Sequence, residues 1–329
     1  MWNLKGEKMF FKVTGTGSFL PEKIMDNHEI AHLVDTSDEW IQSRTGIQTR
    51  HIVTKETAVS MASLAAKSAL ENAGISPEDI QLLIVASVSS EQLLPSTACC
   101  VQKEIGAVNA SAFDLNAACS GFIVACQMAV GQMAAGLVQN ALIIGVERLS
   151  KIVNWQNRET CILFGDGAGA AVVSFPGTPM DGMGLPFLLH SDGSRGEVLS
   201  CKNPAGVPTD VSMDGYVSMD GREIYKFASR QVPRLIQEIL EKAEKSVGEI
   251  DYFLLHQANK RIVESIAKRM KQPIEKFPMN LMSNGNMSSA SIPVLMDELN
   301  RAGKLQPGMK LVIAGFGAGL TWGGMYLEW

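Results

Sequence analysis

Metal-ligand spacing is absent from this sequence. Its six cysteines, Cys99, Cys100, Cys119, Cys126, Cys161 and Cys201, form no CxxC pair and no Cys/His cluster, which argues against a metal site. An oxidised framework does not suit a chain of 329 residues, so reduced thiols and a cytoplasmic setting are expected. Aromatics are scarce at 6% while methionines number 17, which suits adaptable packing more than base stacking. Neither charge dominates: 29 basic residues face 34 acidic ones, a net charge of −5 that gives no global attraction to nucleic acid. No apolar run reaches the roughly 18 residues of a membrane span. The opening MWNLKGEKMFFKV has no signal-peptide core, and Met9 is an alternative start that would leave the first eight residues as an extension. Complete GxGxxG motifs are missing too. GTGSF at 15–19 continues with Leu20 where a third glycine would stand, and FGDGAGAAV at 164–172 runs into a strand-like stretch, so no dinucleotide site is expected.

What remains is a chain that is 46% hydrophobic, with enough apolar residues for a large core. Short apolar runs predict strands over Phe10–Thr16, Gln81–Ser87, Ala141–Val146, Ala168–Ser174, Tyr252–Leu255, Lys310–Gly315 and Gly324–Glu328. Helical periodicity predicts helices over Val59–Ala73, Gly121–Val138, Ile224–Lys245, Lys260–Met270 and Ser291–Ala302. Strands alternating with helices indicate a layered α/β fold. ISPEDIQLLIVAS at 75–87 also echoes SVGEIDYFLLHQA at 246–258, and each is followed later by a loop, a helix and a strand. A duplication with its joint near Pro176–Pro186, a Gly/Pro-rich stretch, would explain the echo.

Cys119 stands among small residues in NAACSGF, where a helix is expected to begin. Two readings stand. It is a buried structural thiol, as Cys126 on the same helix is expected to be. Alternatively it is a nucleophile whose pKa the helix terminus lowers and whose neighbours leave room for substrate. His256 ends the strand of LLHQANKRI and is either a hydrogen-bonded structural histidine or a group facing a cleft. Asn286 in SNGNMSSAS is either an ordinary cap or a site residue. His28, His32, His51 and His190 stand in polar stretches and read as surface residues. FGAG at 316–319 follows a buried strand and can bring backbone N–H groups close to a ligand.

GTGSFLPE, DTSDEWIQSRTGI, AACSGF, FGDGAGAAV, HSDGS, HQANKRI, NGNMSSASIP and FGAGLTWG occur in this order from about Phe11 to Leu327. Together they resemble the 3-oxoacyl-[acyl-carrier-protein] synthase III family, enzymes that start bacterial fatty-acid synthesis. The resemblance implies a thiolase-like fold, two similar halves in a five-layered αβαβα arrangement, assembled as a homodimer. The halves would be residues 9–180, carrying the cysteine, and 181–329, carrying the histidine and asparagine. The family's catalytic residues fall on Cys119, His256 and Asn286, and its oxyanion-hole amides on Cys119 and Ala318. Relatives that elongate chains use two histidines, so Asn286 points to the initiating type. No cofactor or metal is implied; a coenzyme A thioester is the substrate.

By the same resemblance, Trp40, Arg44, Arg158, Gly221, Asn259 and Phe316 match the coenzyme A site, with adenine between Trp40 and Arg158 and Phe316 near the inner end of the pantetheine tunnel. Leu94 and Phe164 match the acyl pocket, Leu94 reaching across the dimer into the partner's pocket. Some relatives carry a bulkier Phe at the position of Leu94, so acyl groups beyond acetyl are expected here. Lys260, Arg261, Lys268, Arg269 and Lys271 match the helix that docks acidic acyl carrier protein; on composition alone they are a solvated helix face. The expected partners are thus acyl-CoA, malonyl-[acyl-carrier-protein] and a second copy of the chain, without nucleic acid or membrane. A relative that makes a secondary metabolite, and a catalytically silent binding protein of the same fold, are the competing expectations.

Overall fold

The computed structural model describes residues 11–175, 187–203 and 215–329. Among them the strands are β1 (Lys12–Phe19), β2 (Ile24–Asp26), β3 (Thr49–His51), β4 (Leu82–Ala86), β5 (Ser111–Leu115), β6 (Asn140–Arg148), β7 (Asp166–Ser174), β8 (Phe187–Ser191), β9 (Leu199–Cys201), β10 (Val217–Met219), β11 (Tyr252–Leu255), β12 (Lys310–Gly317) and β13 (Thr321–Glu328). The helices are α1 (Asn27–Ala31), α2 (Asp38–Thr45), α3 (Ala58–Ala73), α4 (Thr97–Ile105), α5 (Gly121–Ala134), α6 (Arg158–Cys161), α7 (Gly221–Ala243), α8 (Lys260–Met270), α9 (Leu281–Asn284) and α10 (Ser291–Arg301).

Two sheets organise the chain. One has the order β1-β7-β6-β4-β5 and the other β11-β12-β13-β8. The second repeats the first: β8, β13, β12 and β11 take the places of β1, β7, β6 and β4, with the same sequence of antiparallel, antiparallel and parallel pairings. The echo read from the sequence has the same basis. A single 3₁₀ turn closed by a capping box, Ser76 with Asp79 and Ser246 with Glu249, leads into β4 and into β11.

Side-chain alternation sorts the layers. Leu82 and Ile84 of β4 face inward, to a cluster that holds α5 and α10, whereas Leu83 and Val85 face α3 and α4. In β12, Leu311 and Ile313 face the same central cluster, and Val312 and Ala314 face α7 and α8. Both sheets are therefore covered on both faces, which is why their strands read as unbroken apolar runs. The result is five layers, αβαβα. The central α5, GFIVACQMAVGQMA, has almost no polar face because it packs against both sheets.

The expected elements are present with shifted ends. The first strand runs Lys12–Phe19 rather than Phe10–Thr16, whose first residue lies outside the described ones. α5 stops at Ala134, not Val138, because Gly136 turns left-handed at φ +73°. β5, β8 and α4 were not anticipated: β5 is a half-exposed edge strand containing Asp114, and β8 is a second edge. The expected joint at Pro176–Pro186 lies outside the described residues. The glycines of 15–17 and 165–169 turn out to be packing devices. A Cβ at Gly15 or Gly17 would strike the α3 backbone, and one at Gly169 would come within 2.5 Å of Val294 N. His28 and His32 are exposed as expected, but His51 Nδ1 lies 2.6 Å from Pro21 O and His190 stacks on Trp322 at 5.2 Å, so neither is a free surface group.

Candidate active site

Cys119 lies in a one-turn 3₁₀ segment, Ala118–Ser120, immediately before α5. Its counterpart in the other half is Ser288–Ala290, immediately before α10. Both turns open on a residue in the left-handed region, Ala118 at φ +46° and Ser288 at φ +44°, a backbone strain that clusters at functional sites. Gly317, in the FGAG stretch, passes so close that a Cβ there would be 2.9 Å from Cys119 N and 3.0 Å from Cys119 Cβ. Glycine is required for that approach.

The surroundings of the thiol act against the effect of its position at a helix start. Burial pushes Cys119 up to about 12 from an ordinary 9.0; a hydrogen bond with Ser288 opposes this, and the Glu147 charge adds to it. Burial and the Glu147 charge therefore act against the lowering expected from the helix terminus. Cys126 is buried as expected, and its thiol is raised by burial as well.

His256 ends β11, its N–H donating to Ala314 O at 2.9 Å. The ring is only 2% exposed. Nδ1 lies 2.7 Å from Ser291 Oγ, and the ring meets Phe316 edge-on at 5.4 Å. Burial pushes the imidazole down to about 3 from 6.5, so it is neutral at pH 7. Asn286 is held by backbone bonds to its neighbours in space: its N–H donates to Leu163 O at 2.8 Å and its carbonyl accepts from Gly165 N at 3.0 Å. Its Oδ1 accepts from Ser288 N at 2.8 Å. The amide oxygen being used, the NH₂ end is the one left for a bound molecule.

Cys119, His256, Asn286, Phe164 and Phe316 line one cavity of about 770 Å³, with Trp40, Arg44, Gly221, Asn259 and Arg261 among its other walls. A second cavity, of about 610 Å³, also touches Cys119 and Phe164 and runs past Val88, Leu93, Leu149, Ile152 and Ala318. Cys119 stands where the two meet. This is a buried thiol between a long tunnel and a second chamber, beside a neutral imidazole and a carboxamide donor.

Family models for 3-oxoacyl-[acyl-carrier-protein] synthase III match residues 113–193 and, for its C-terminal part, residues 240–329. A protein of Clostridium botulinum called beta-ketoacyl-[acyl-carrier-protein] synthase III is 45% identical over 322 residues, 96% of this chain and 98% of that one. The chain belongs to the 3-oxoacyl-[acyl-carrier-protein] synthase III family. The crystal structure of the Aquifex aeolicus synthase III superposes with a TM-score of 0.90 at 41% identity, covering 97% of this chain and all 100% of that one. The Pseudomonas aeruginosa synthase III gives 0.89 at 36% identity over 97% and 98%. The chain is accordingly a condensing acyltransferase with the family's thiolase-like fold.

The positions that match the family's coenzyme A site are largely gathered at the tunnel. Phe316 lines it and meets His256 edge-on. Gly221 is the first residue of α7, after the cap Asp220. Asn259 lines the wall, but its side chain is already committed: Oδ1 caps α8 by accepting from Arg261 N at 2.8 Å, and Nδ2 donates to Arg44 O at 3.0 Å. Trp40 and Arg158 are brought together, with Arg158 Cζ 4.8 Å from the ring centroid and its Nη1 donating to Asp35 O at 2.9 Å. They are in contact with each other, so no purine-sized slot stands open between them. Arg44 approaches the same ring at 5.9 Å.

Other matched positions lie further out. Ala318 is in the second chamber, its carbonyl held by Thr321 Oγ1 at 3.0 Å. Leu94 is 87% exposed, while its neighbour Leu93 lines the chamber. Lys260, Arg261, Lys268, Arg269 and Lys271 are all exposed on or just after α8. Lys260 and Arg261 are near the tunnel mouth, whereas Lys268 and Arg269 are in the last turn, about 12 Å along the axis at 1.5 Å per residue.

Three features had escaped the sequence reading. Arg222 and Tyr225 of α7 join Arg261 at the tunnel, with Arg261 5.8 Å from the Tyr225 ring. Glu147 is fully buried near Cys119 and accepts from Ser89 Oγ at 2.6 Å, Ser289 Oγ at 2.9 Å and Val88 N at 3.1 Å. Burial raises its carboxyl, and these bonds oppose that. An acid inside the apolar run NALIIGVER was the available signal. Among the described residues no group of His, Cys, Asp and Glu is arranged to hold a metal, and no helix is long and apolar enough to cross a membrane.

Proposed function

We propose that this chain condenses an acyl-CoA starter with malonyl-[acyl-carrier-protein], giving 3-oxoacyl-[acyl-carrier-protein], coenzyme A and CO₂. The convergence of Cys119, His256 and Asn286 on one tunnel supports the reading most directly. In the first half-reaction Cys119 sulfur attacks the thioester carbonyl, the bond to coenzyme A sulfur breaks, and the thiol proton leaves with coenzyme A. The backbone N–H groups of Cys119 and Ala318 hold the oxyanion. The thiol proton must leave Cys119 as the acyl group arrives.

The second half-reaction loses CO₂ from the malonyl thioester. The electron pair moves onto the thioester oxygen as an enolate, to which Asn286 Nδ2 and His256 Nε2 donate. The enolate carbon then attacks the acyl carbonyl, forming the C–C bond as the bond to Cys119 sulfur breaks. Donors placed for the enolate act on the transition state more than on the bound substrate. No metal or bound cofactor takes part in this scheme.

Trp40, Arg44 and Arg158 would hold the nucleotide of coenzyme A, Gly221 and Asn259 its pantetheine arm, and α8 the acidic carrier protein. A second copy of the chain would complete the acyl chamber with Leu94. The open edge of β5 and the exposed Leu93 and Leu94, 78% and 87%, suit such an interface. Halves of 9–180 and 181–329 and a cytoplasmic setting complete the reading. A panel of acyl-CoA starters with malonyl-[acyl-carrier-protein] tests it. We expect 3-oxoacyl products from acetyl and from short branched starters, with modest discrimination, since one methylene in such a pocket is worth about 1–3 kcal/mol. Strict use of acetyl-CoA would overturn the starter assignment. Failure of Cys119 to take up any acyl group would favour a silent binding protein, and an ester or other acceptor product a secondary-metabolic relative.

A further inference from the structure

The turn that precedes α10 does more than mirror the cysteine turn. Ser291 is fully buried, and its hydroxyl has one proton and two acceptors in reach. Ser288 O is 2.9 Å away and His256 Nδ1 is 2.7 Å away. The choice between them decides which ring nitrogen of a neutral His256 carries the proton. If Ser291 donates to Ser288 O, then Nδ1–H must donate to Ser291, and Nε2 is a bare lone pair. If Ser291 donates to Nδ1, the ring proton is on Nε2.

The geometry admits the second arrangement, and a role for His256 as donor to the enolate requires it. Ser288 O already accepts the backbone N–H of Ser291, so it stays satisfied when the hydroxyl turns away. Gln257 N–H approaches Ser291 Oγ at 3.5 Å and takes one of its lone pairs, which leaves the hydroxyl proton free to point to Nδ1. The turn itself is pinned, with Ser288 N on Asn286 Oδ1 and Ser289 Oγ on Glu147 and on Ala86 O at 2.8 Å.

We infer that Ser291 is a positioning residue that donates to His256 Nδ1 and thereby keeps the proton on Nε2, where the enolate oxygen needs a donor. This rests on the reading of His256 as an enolate donor. It makes one turn serve both donors, since Asn286 is oriented from its start and His256 from its end. It also explains why a buried imidazole with no carboxylate partner can still donate.

Protein labelled with ¹⁵N-histidine, examined by NMR in the free enzyme, tests the inference without any variant. We expect the His256 pattern of the tautomer protonated on Nε2; the Nδ1-protonated pattern would overturn the inference. Ser291→Ala should lose that tautomer preference and slow CO₂ release from malonyl-[acyl-carrier-protein] by about 10–100-fold, by analogy with losing the partner that orients a metal-bound histidine. Formation of the acyl adduct on Cys119 should not change, and Ser291→Thr should restore both tautomer and rate. Wild-type CO₂ release in a folded Ser291→Ala enzyme would overturn the inference while leaving the reading of His256 intact. His256→Ala separates the two: if it too spares CO₂ release, the reading of His256 fails and the inference with it.

Discussion

Replacing Asn286 by alanine divides the two half-reactions, and the structure sets how large each effect should be. The backbone at 286 is fixed by its bonds to Leu163 and Gly165, so truncation removes the amide without moving the chain. Losing Nδ2 removes one of two donors to the enolate. Loss of one such donor costs about 2.7–4 kcal/mol, or 10²–10³ in rate. Losing Oδ1 leaves the buried N–H of Ser288 without its acceptor, a stability cost of about 1–3 kcal/mol. Asn286→Asp separates these terms: it keeps an acceptor for Ser288 N but offers no donor and places a negative charge beside the enolate. Its stability should be closer to wild type while its CO₂ release is at least as impaired. Intact-protein mass spectrometry after mixing with acyl-CoA reports the adduct on Cys119, and release of labelled CO₂ reports the second step. Both variants should form the adduct. If Asn286→Ala blocked the adduct and spared decarboxylation, the division of labour would be refuted.

Cys119→Ser should lose covalent acylation almost wholly, because a hydroxyl with no strong base is a far weaker nucleophile; a persistent adduct at wild-type rate would place the nucleophile elsewhere. Trp40→Ala should raise KM for acyl-CoA more than it lowers kcat, since stacking remote from the reacting atoms is largely uniform binding; an unchanged KM in a folded Trp40→Ala, Arg158→Ala double variant counts against the adenine site. His256 contributes a pH dependence of stability. Its folded pKa, about 3, lies below its ordinary 6.5, so the unfolded chain binds the extra proton. The contribution is complete above about 6.5 and is lost as pH falls from there toward 3. Thermal unfolding of wild type should therefore fall more steeply over that interval than that of His256→Asn, and parallel curves would contradict the assignment.

Much of the chemistry was legible in the sequence because it is written locally. A cysteine among small residues before an apolar helix, a histidine ending a buried strand and an asparagine in a Gly/Ser turn each keep that setting in the fold. Strands such as β4 and β12 were legible because burial on both faces leaves no polar alternation to confuse them. β5 and β8 were not, since a short edge strand has only part of a hydrophobic pattern to show.

Only the tertiary structure decided the electrostatics and the partners. Position at a helix start predicts an acidic thiol, whereas burial and the Glu147 charge act in the opposite direction at Cys119. The fold sets Trp40 half-buried, with Arg158 in direct contact with its ring rather than an open gap between them. Ser291, 35 residues from His256 along the chain, comes within hydrogen-bond distance of it only because α10 starts beside the end of β11. Local sequence determines a residue's backbone setting, which depends on a few neighbours. A residue's charge state and proton partner depend on everything packed within a few ångströms, and here those groups come from both halves of the chain.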